Sequence, residues 1–406
     1  MWNVSVARLT MAVLALRPVS ALADPVELDL RGALARAHLA APEVLAARGR
    51  VAEAEAGVLG ADIAFTTNPE IEGGAGPRLT PGRPIDAEVR IEQNLESWRR
   101  GPRRQVAGAA LRQARAEADR AMLDLDLEVS LAFYDALFAD RAAELARRAQ
   151  ELAQRAAAAA ERRRLAGDIT DLEANLARAA SGRAASAALA AASARALAVG
   201  RLAAQLGIAP GDTILLRGDL APAALPDPAA LRTALATRPD VRALDAEREA
   251  AAAQRVQAIA SGRPEIALWA GYQREDAQAI VLGGLRVSLP LWNRAQGEQA
   301  AAAAREHSAQ AVRDATVRAA NRQIDDAVAA YTAARQAVET FARDVAPLLD
   351  DSERLLERRI DAGQLTVSDY LVARQELLAA RREYLERQLA LARVAATVRF
   401  VAGVAP

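Results

Sequence analysis

The acidic pairs Asp124/Asp126 and Asp325/Asp326 are the residues whose type and spacing come closest to a chemical site. Two neighbouring carboxylates can act as general acid and base, or bind a cation. Both pairs lie in long stretches with a helical pattern and nearby arginines, where ion pairs on a solvated helix face are the more common arrangement. The sequence therefore predicts no catalytic site, no metal site and no cofactor.

The other candidates for chemistry are few. The chain has two histidines and no cysteine, which excludes disulfides, thiolate metal sites and a cysteine nucleophile. His38 and His307 are far apart in the sequence, and we expect both on helix surfaces. Residues 73–76, Gly-Gly-Ala-Gly, lack the strand-then-helix context of a phosphate-binding loop, so we expect a flexible strand or loop.

The composition favours long helices over a thick globular core. Of 406 residues, 52% are hydrophobic but only 3% are aromatic, and alanine makes up much of the remainder. Alanine is the best helix former, yet its side chain buries little apolar area. The 52 basic residues, all arginine, balance 52 acidic ones, so the charge predicts no nucleic-acid partner.

The elements that position these residues occur twice along the chain. Pro42-Glu43-Val44 is repeated as Pro239-Asp240-Val241, and Pro69-Glu70-Ile71 as Pro264-Glu265-Ile266. Further matches, up to Gly207 and Gly403, keep the order and nearly the same spacing. An internal duplication explains such a series. The predicted repeats are 24–208 and 228–406, joined by a Pro/Gly-rich connector at 209–227.

Each repeat is predicted to contain a helix, two strands and a long helical hairpin. The strands fall at about 71–95 and 265–290, because apolar residues alternate there between turn signals. The hairpins cover 105–205 and 298–402, each broken once at a glycine. In the first hairpin, apolar residues from Leu131 to Leu152 recur every seven positions, which is typical of a coiled-coil seam.

The N-terminus has the pattern of a signal peptide. Arg8 precedes an apolar run, and Ala21-Leu22-Ala23 is a small-residue cleavage site, so residues 1–23 are predicted to be removed. A leader that stays on a cytoplasmic protein is the alternative. We find no other run of apolar residues long enough for a membrane helix, and therefore predict none.

Two pairs of strands are too few for a membrane barrel, because small barrels need about eight strands and lipid does not tolerate open edges. Either the strands form a small soluble sheet or several chains share one barrel. The scarce aromatic residues are concentrated here: Trp98, Trp269, Tyr272 and Trp292. They are expected at the membrane interface, with packing of helix onto sheet as the alternative.

The paired Pro-Glu-Val and Pro-Asp-Val helix starts, the two Pro-Glu-Ile strand starts and the turns at 167–171 and 363–369 resemble the TolC family of outer-membrane efflux proteins. The resemblance covers essentially the whole mature chain. Residues 90–96 followed by Gly101-Pro102-Arg103-Arg104 are most similar to the branch that serves heavy-metal efflux.

The resemblance implies a mainly α-helical protein with a small β part. Three chains would form a homotrimer whose α-helical barrel extends into the periplasm from a 12-stranded β-barrel in the outer membrane of a Gram-negative cell. The protein would be a passive channel of a tripartite efflux system. Its partners would be a periplasmic adaptor, an inner-membrane pump and outer-membrane lipid.

The resemblance also assigns roles to the hairpin ends. Asp369, and Glu173 at the matching position, would line the closed periplasmic aperture and favour cations, since carboxylate rings select cations. The alternative is that both acids stabilise a helix start in solvent. Adaptor docking is expected at the tip turns, which comprise Leu165, Gly167, Asp168, Thr170, Gly363, Gln364 and Thr366.

Two other functions are weighed against the channel. One is a periplasmic coiled-coil scaffold with a small soluble sheet. The other is an adaptor subunit, although adaptors usually carry a single hairpin between β-rich domains. An enzyme is the least favoured reading.

Overall fold

The computed structural model describes residues 26–79, 85–96, 98–209, 212–221, 231, 233–234, 238–275, 278–361 and 364–403. The predicted signal peptide, 1–23, and Gly363 lie outside the described residues. The expectation of a mainly helical chain with a small β part is confirmed.

The first half of the described chain contains four helices and three strands, followed by a short strand in the connector. In chain order they are β1 (Val26–Leu28), α1 (Leu30–Ala40), α2 (Pro42–Asp62), β2 (Glu70–Pro77), β3 (Ile85–Leu95), α3 (Arg100–Leu165), α4 (Asp171–Gln205) and β4 (Ile214–Leu216).

The second half has the same order of helix, two strands and long helices. Its elements are α5 (Pro239–Ser261), β5 (Glu265–Glu275), β6 (Gln278–Ser288), α6 (Gln296–Asp344), α7 (Ala346–Asp361) and α8 (Val367–Ala402).

The four longer strands form one antiparallel sheet in the order β2-β3-β5-β6. The two halves meet where β3 pairs with β5, for example Ile91 opposite Ala270. Strands β2 and β6 are the open edges of this sheet in the single chain. At the other end of α2, β1 pairs with β4 in parallel and ties the N-terminal segment to the connector.

The helix starts follow local sequence signals. Pro42 and Pro239 open α2 and α5, where a residue without an N–H loses no helical bond. Thr170 caps α4 and Thr366 caps α8 through side-chain bonds to the backbone of the first turn. These caps let long helices begin sharply after a tight turn.

The second hairpin departs from the prediction of a single break. It is also interrupted at Val345, between α6 and α7. Pro347 lies in the first turn of α7, and its ring and missing N–H disrupt the preceding helical bonds. The corresponding stretch of α3 contains no proline and stays continuous from Arg100 to Leu165.

The core is thin and rich in alanine. Its largest cluster surrounds Phe133, Leu137, Leu202 and Leu206, where α1, α3 and α4 meet the β1–β4 pair. The predicted seam of α3 is only partly correct, because Leu131 lies at the edge of this cluster and is half-buried. Helix α3 contacts α2, α4, α5 and α8, so its buried stripe is not one heptad seam.

One helix qualifies as a membrane span by length and composition alone. Among the described residues this is α4, so the prediction that no such helix exists was too strict. Its apolar character comes largely from alanine, and most of the apolar window is exposed in the single chain.

Candidate channel and partner surfaces

The four-stranded sheet separates polar and apolar side chains onto opposite faces. Residues directly opposite each other in the ladder share a face, as Glu92, Trp269 and Gly284 do. What we call the polar face includes Glu70, Glu72, Asp86, Glu88, Arg90, Glu92, Glu265, Trp269, Gln273, Glu275 and Arg286, with Ile280 and Leu282 as its large aliphatic members.

The other side is the apolar face, and solvent reaches it in the single chain. Its members include Ile71, Ile85, Val89, Ile91, Leu268, Tyr272, Val281, Leu285 and Val287. Ile71 is 73% exposed, Val281 77% and Leu285 65%. An antiparallel sheet in a soluble protein normally packs its apolar face against a core. No described helix covers this face, so the single chain exposes an unusually large apolar surface.

On the polar face, charges are organised around Glu92. Its carboxylate forms ion pairs with Arg90, at 3.3 Å, and with Arg286. The Arg90 guanidinium also lies 4.3 Å from the centroid of the Trp269 ring, within the range of a cation–π contact. Acidic residues outnumber arginines on this face, although the whole chain is electrically balanced.

The four predicted interface aromatics occupy different environments. Tyr272 lies on the apolar face, and Trp292, 87% exposed, follows β6. Trp98 donates a hydrogen bond from its indole nitrogen to the carbonyl oxygen of Pro264, joining the start of α3 to β5. Trp269 is on the polar face and covers Gly284. This placement favours a position away from lipid for Trp269 and leaves Tyr272 and Trp292 as interface candidates.

The two tip turns share one backbone hydrogen bond across the turn. The N–H of Asp168 donates to the carbonyl oxygen of Arg163, and that of Gln364 donates to Arg359. Gly167 has φ +81°, in the left-handed region where glycine is unstrained. Leu165 is 72% exposed beside it.

Close to the tip, a groove runs between α4 and α8 with α3 as its floor. Its volume is about 460 Å³. Leu176 and Ala180 of α4 face Leu371 and Leu378 of α8 across it. Both walls of the groove are mainly apolar, so this end of the chain presents a concave apolar surface.

The two predicted gate acids both take part in helix capping. The Glu173 carboxylate accepts hydrogen bonds from the Thr170 N–H, at 2.9 Å, and from its hydroxyl, at 3.0 Å. These bonds hold the pKa of Glu173 below its ordinary value. Asp369 accepts from the Thr366 hydroxyl at 2.8 Å and is exposed. Both acids thus stabilise the start of a helix, which is the alternative to a gate role that the sequence left open.

Sequence reasoning missed a buried arginine near the tip. Arg374 is 9% exposed and donates to the Tyr370 hydroxyl, at 2.7 Å, and to the Ala149 carbonyl oxygen, at 3.0 Å. The bond to Ala149 therefore joins α8 to α3. Arg178 occupies the matching position in the first predicted repeat; it is exposed, and its described hydrogen bond is to Asn175 within α4. The two arginines look equivalent in sequence, and only the packing distinguishes them.

A second missed contact joins α1 to α3. His38 lies on α1 and is partly exposed, but its Nε2 is 2.5 Å from Asp126 Oδ1 of α3, a contact that the sequence did not indicate. Burial raises the pKa of Asp126, while the bond to His38 opposes that shift.

The other member of this acidic pair, Asp124, forms the predicted ion pair with an arginine. Its carboxylate lies 3.7 Å from the Arg120 guanidinium. Among the described residues, no group of three or more acidic or histidine side chains is arranged to hold a metal ion.

Comparison with known proteins finds a sequence match for the second half of the chain and a shared fold for most of it. Residues 230–404 match the family model described as outer membrane efflux protein. No curated protein matches the chain. The second half thus carries the sequence signature of that family, and the same order of elements extends through the first half.

Solved structures share the fold over most of the chain. A membrane protein from Pseudomonas aeruginosa aligns with a TM-score of 0.75 at 20% identity, covering 92% of this chain and 90% of that one. VceC, an outer membrane protein of Vibrio cholerae, gives 0.73 at 19% identity, covering 92% and 96%. CusC, described with transmembrane channel formation, gives 0.73 at 18%, covering 92% of each. The resemblance to the TolC family of outer-membrane efflux proteins is confirmed.

Proposed function

We propose that the protein is the passive outer-membrane channel of a tripartite efflux system. The observation that carries this function is the sheet with one exposed apolar face and one charged face. Such a sheet fits a barrel wall with lipid outside and water inside. A scaffold or adaptor with a soluble sheet leaves the apolar face without a function, and this disfavours both alternatives.

The open edges β2 and β6 support assembly from several copies. Unpaired backbone groups are not tolerated in lipid, so these edges must be paired. In a homotrimer, β6 of each copy pairs with β2 of the next, and three four-stranded sheets close into a 12-stranded barrel. The internal duplication, with repeats 24–208 and 228–406, gives each chain two hairpins of that barrel.

The helices continue the same tube into the periplasm. The exposed alanine face of α4 then packs against a neighbouring copy, which explains how so apolar a helix stays out of lipid. Alanine suits this arrangement because helices that surround water need close side-by-side contact and little core volume. The leader 1–23 directs the chain through the inner membrane.

The proposed partners are a pump that supplies energy and an adaptor that binds the tip of the hairpins. A passive tube needs an inner-membrane pump to supply energy. A periplasmic adaptor docks on the tip turns, and the groove between α4 and α8 supplies an apolar concave surface for it. The acidic polar face and exposed Asp369 favour cationic cargo, in keeping with the similarity to the heavy-metal efflux branch.

The experiment is fractionation of cells that express the full chain. The channel function predicts that the protein is in the outer membrane, needs detergent for extraction and migrates as a trimer until it is heated. Recovery as a soluble monomer without detergent would contradict the function and favour the scaffold.

A further inference from the structure

Within the described residues, the apolar face of the sheet contains a single charged side chain, Arg274. It lies one residue from the end of β5 that is remote from α5, and its ladder neighbours are Ala87 and Ala279. Its side chain is exposed. A guanidinium on a lipid-facing surface is costly at the membrane centre and favourable at the headgroup level.

The nearby carboxylates are already directed to the opposite face. Arg78 donates to Asp86 at 2.9 Å and to Glu275 at 2.7 Å, and all three belong to the polar side. No described carboxylate forms an ion pair with Arg274. The adjoining turn residues 276–277 lie outside the described part of the chain. As far as the described residues go, the Arg274 guanidinium is therefore open to an external anion.

We propose that Arg274 binds a phosphate of a phosphorylated lipid headgroup in the outer leaflet. This inference rests on the proposed function, because the helices then lie in the periplasm and the far end of β5 reaches the outer surface. The planar guanidinium suits bidentate contact with phosphate. Tyr272, on the same face one ladder step closer to the membrane centre, is placed to sit beneath the headgroup.

The test measures lipid retention by the intact, detergent-purified protein with native mass spectrometry. The probes are lipid A, a phosphorylated glucosamine disaccharide with acyl chains, and the same lipid after removal of its phosphates. The wild type should retain lipid A about fivefold better, which corresponds to the roughly 1 kcal/mol that one arginine contributes at a charged membrane surface. Arg274→Gln should abolish that preference, and Arg274→Lys should restore part of it.

Arg286→Gln is the matched control, since it removes the same charge from the polar face. It should retain lipid A as the wild type does. Equal retention by Arg274→Gln and the wild type would overturn the inference, and so would equal retention of the two probes by the wild type. Displacement of lipid A by excess inorganic phosphate would show a site for free anions, which also contradicts a lipid site.

A separate measurement distinguishes this inference from the proposed function. The same preparations are added to planar bilayers. If the protein inserts and conducts but shows no phosphate preference, the lipid site fails while the channel function stands. If it does not insert, the channel function itself fails.

Discussion

Asp369 and Glu173 both cap a helix start, and the proposed channel would give the same carboxylates a second role at its aperture. Each accepts a hydrogen bond from a threonine at the N-cap, yet Asp369 remains exposed at the tip. We expect Asp369→Asn to reduce the cation preference of single channels, because the ring loses its charge while the amide oxygen still accepts from Thr366. Single-channel reversal potentials in a salt gradient measure this.

The control for the gate prediction is Glu339→Gln, which removes an exposed carboxylate of α6 that pairs with Arg335. It should leave ion selectivity unchanged. If Asp369→Asn conducts with unaltered selectivity, Asp369 is only a capping residue.

The bond between His38 and Asp126 should contribute measurably to stability. His38→Ala leaves the largely buried Asp126 carboxylate without its partner, and we expect a loss of about 1–3 kcal/mol. His307→Ala is the natural comparison, because His307 is an exposed helix residue and its loss should cost under about 0.5 kcal/mol. Denaturant unfolding gives both values, and equal effects would refute a specific role for the pair.

Among the elements, the C-terminal end of α5 comes so close to the connection between β6 and α6 that position 262 requires a glycine. A Cβ added at Gly262 would lie 2.5 Å from the carbonyl oxygen of Arg294, beside Ala295 with its left-handed φ of 59°. We expect Gly262→Ala to destabilise by about 1–3 kcal/mol, since backbone must move. Gly57→Ala in α2 meets open space and should stabilise by about 0.5–1 kcal/mol. Melting curves that show no difference between these variants would contradict the contact.

Much of the element order was predictable, because its signals are local. Pro42 and Pro239 mark helix starts, alternating residues mark the strands, and glycine with threonine marks the tip turn. The interruption at Val345 was missed although Pro347 is visible in the sequence. The sequence analysis allowed one break in each hairpin, at its glycine, and a proline in a helical pattern is compatible with either a kink or a break.

The site was less predictable, since it depends on which residues face each other across the fold. The placement of Trp269 on the polar face follows from the β3–β5 register, and that register joins two distant segments. The burial of Arg374 depends on the contact of α8 with α3. Arg178 and Arg374 occupy matching positions in the sequence, so the sequence does not indicate which of them is buried.

At the scale of the whole molecule, ion pairs along the helices should make stability depend on pH. Hydrogen bonds from Arg147 and then Arg148 lower the pKa of Glu144 from the ordinary 4.5 to about 2. A lowered pKa means that the folded state favours the carboxylate, so the contribution is complete above pH 4.5 and is lost as the pH falls towards 2. Carboxyl NMR of Glu144 measures this, and a midpoint near the ordinary value would contradict it. Glu144→Gln should show less of the acid-induced fall in melting temperature.

In the proposed channel, the four-stranded sheet is part of the pore wall, with lipid on one side and water on the other. Because the chain contains no cysteine, single cysteines along β6 can carry a spin label without background. In outer-membrane vesicles, labels at Val281, Leu285 and Val287 should be accessible to oxygen, and labels at Leu282, Gly284 and Arg286 to a water-soluble nickel reagent. The predicted result is that access to oxygen and access to the nickel reagent alternate from one residue to the next along β6. Uniform access to the water-soluble reagent at all six positions would contradict the account.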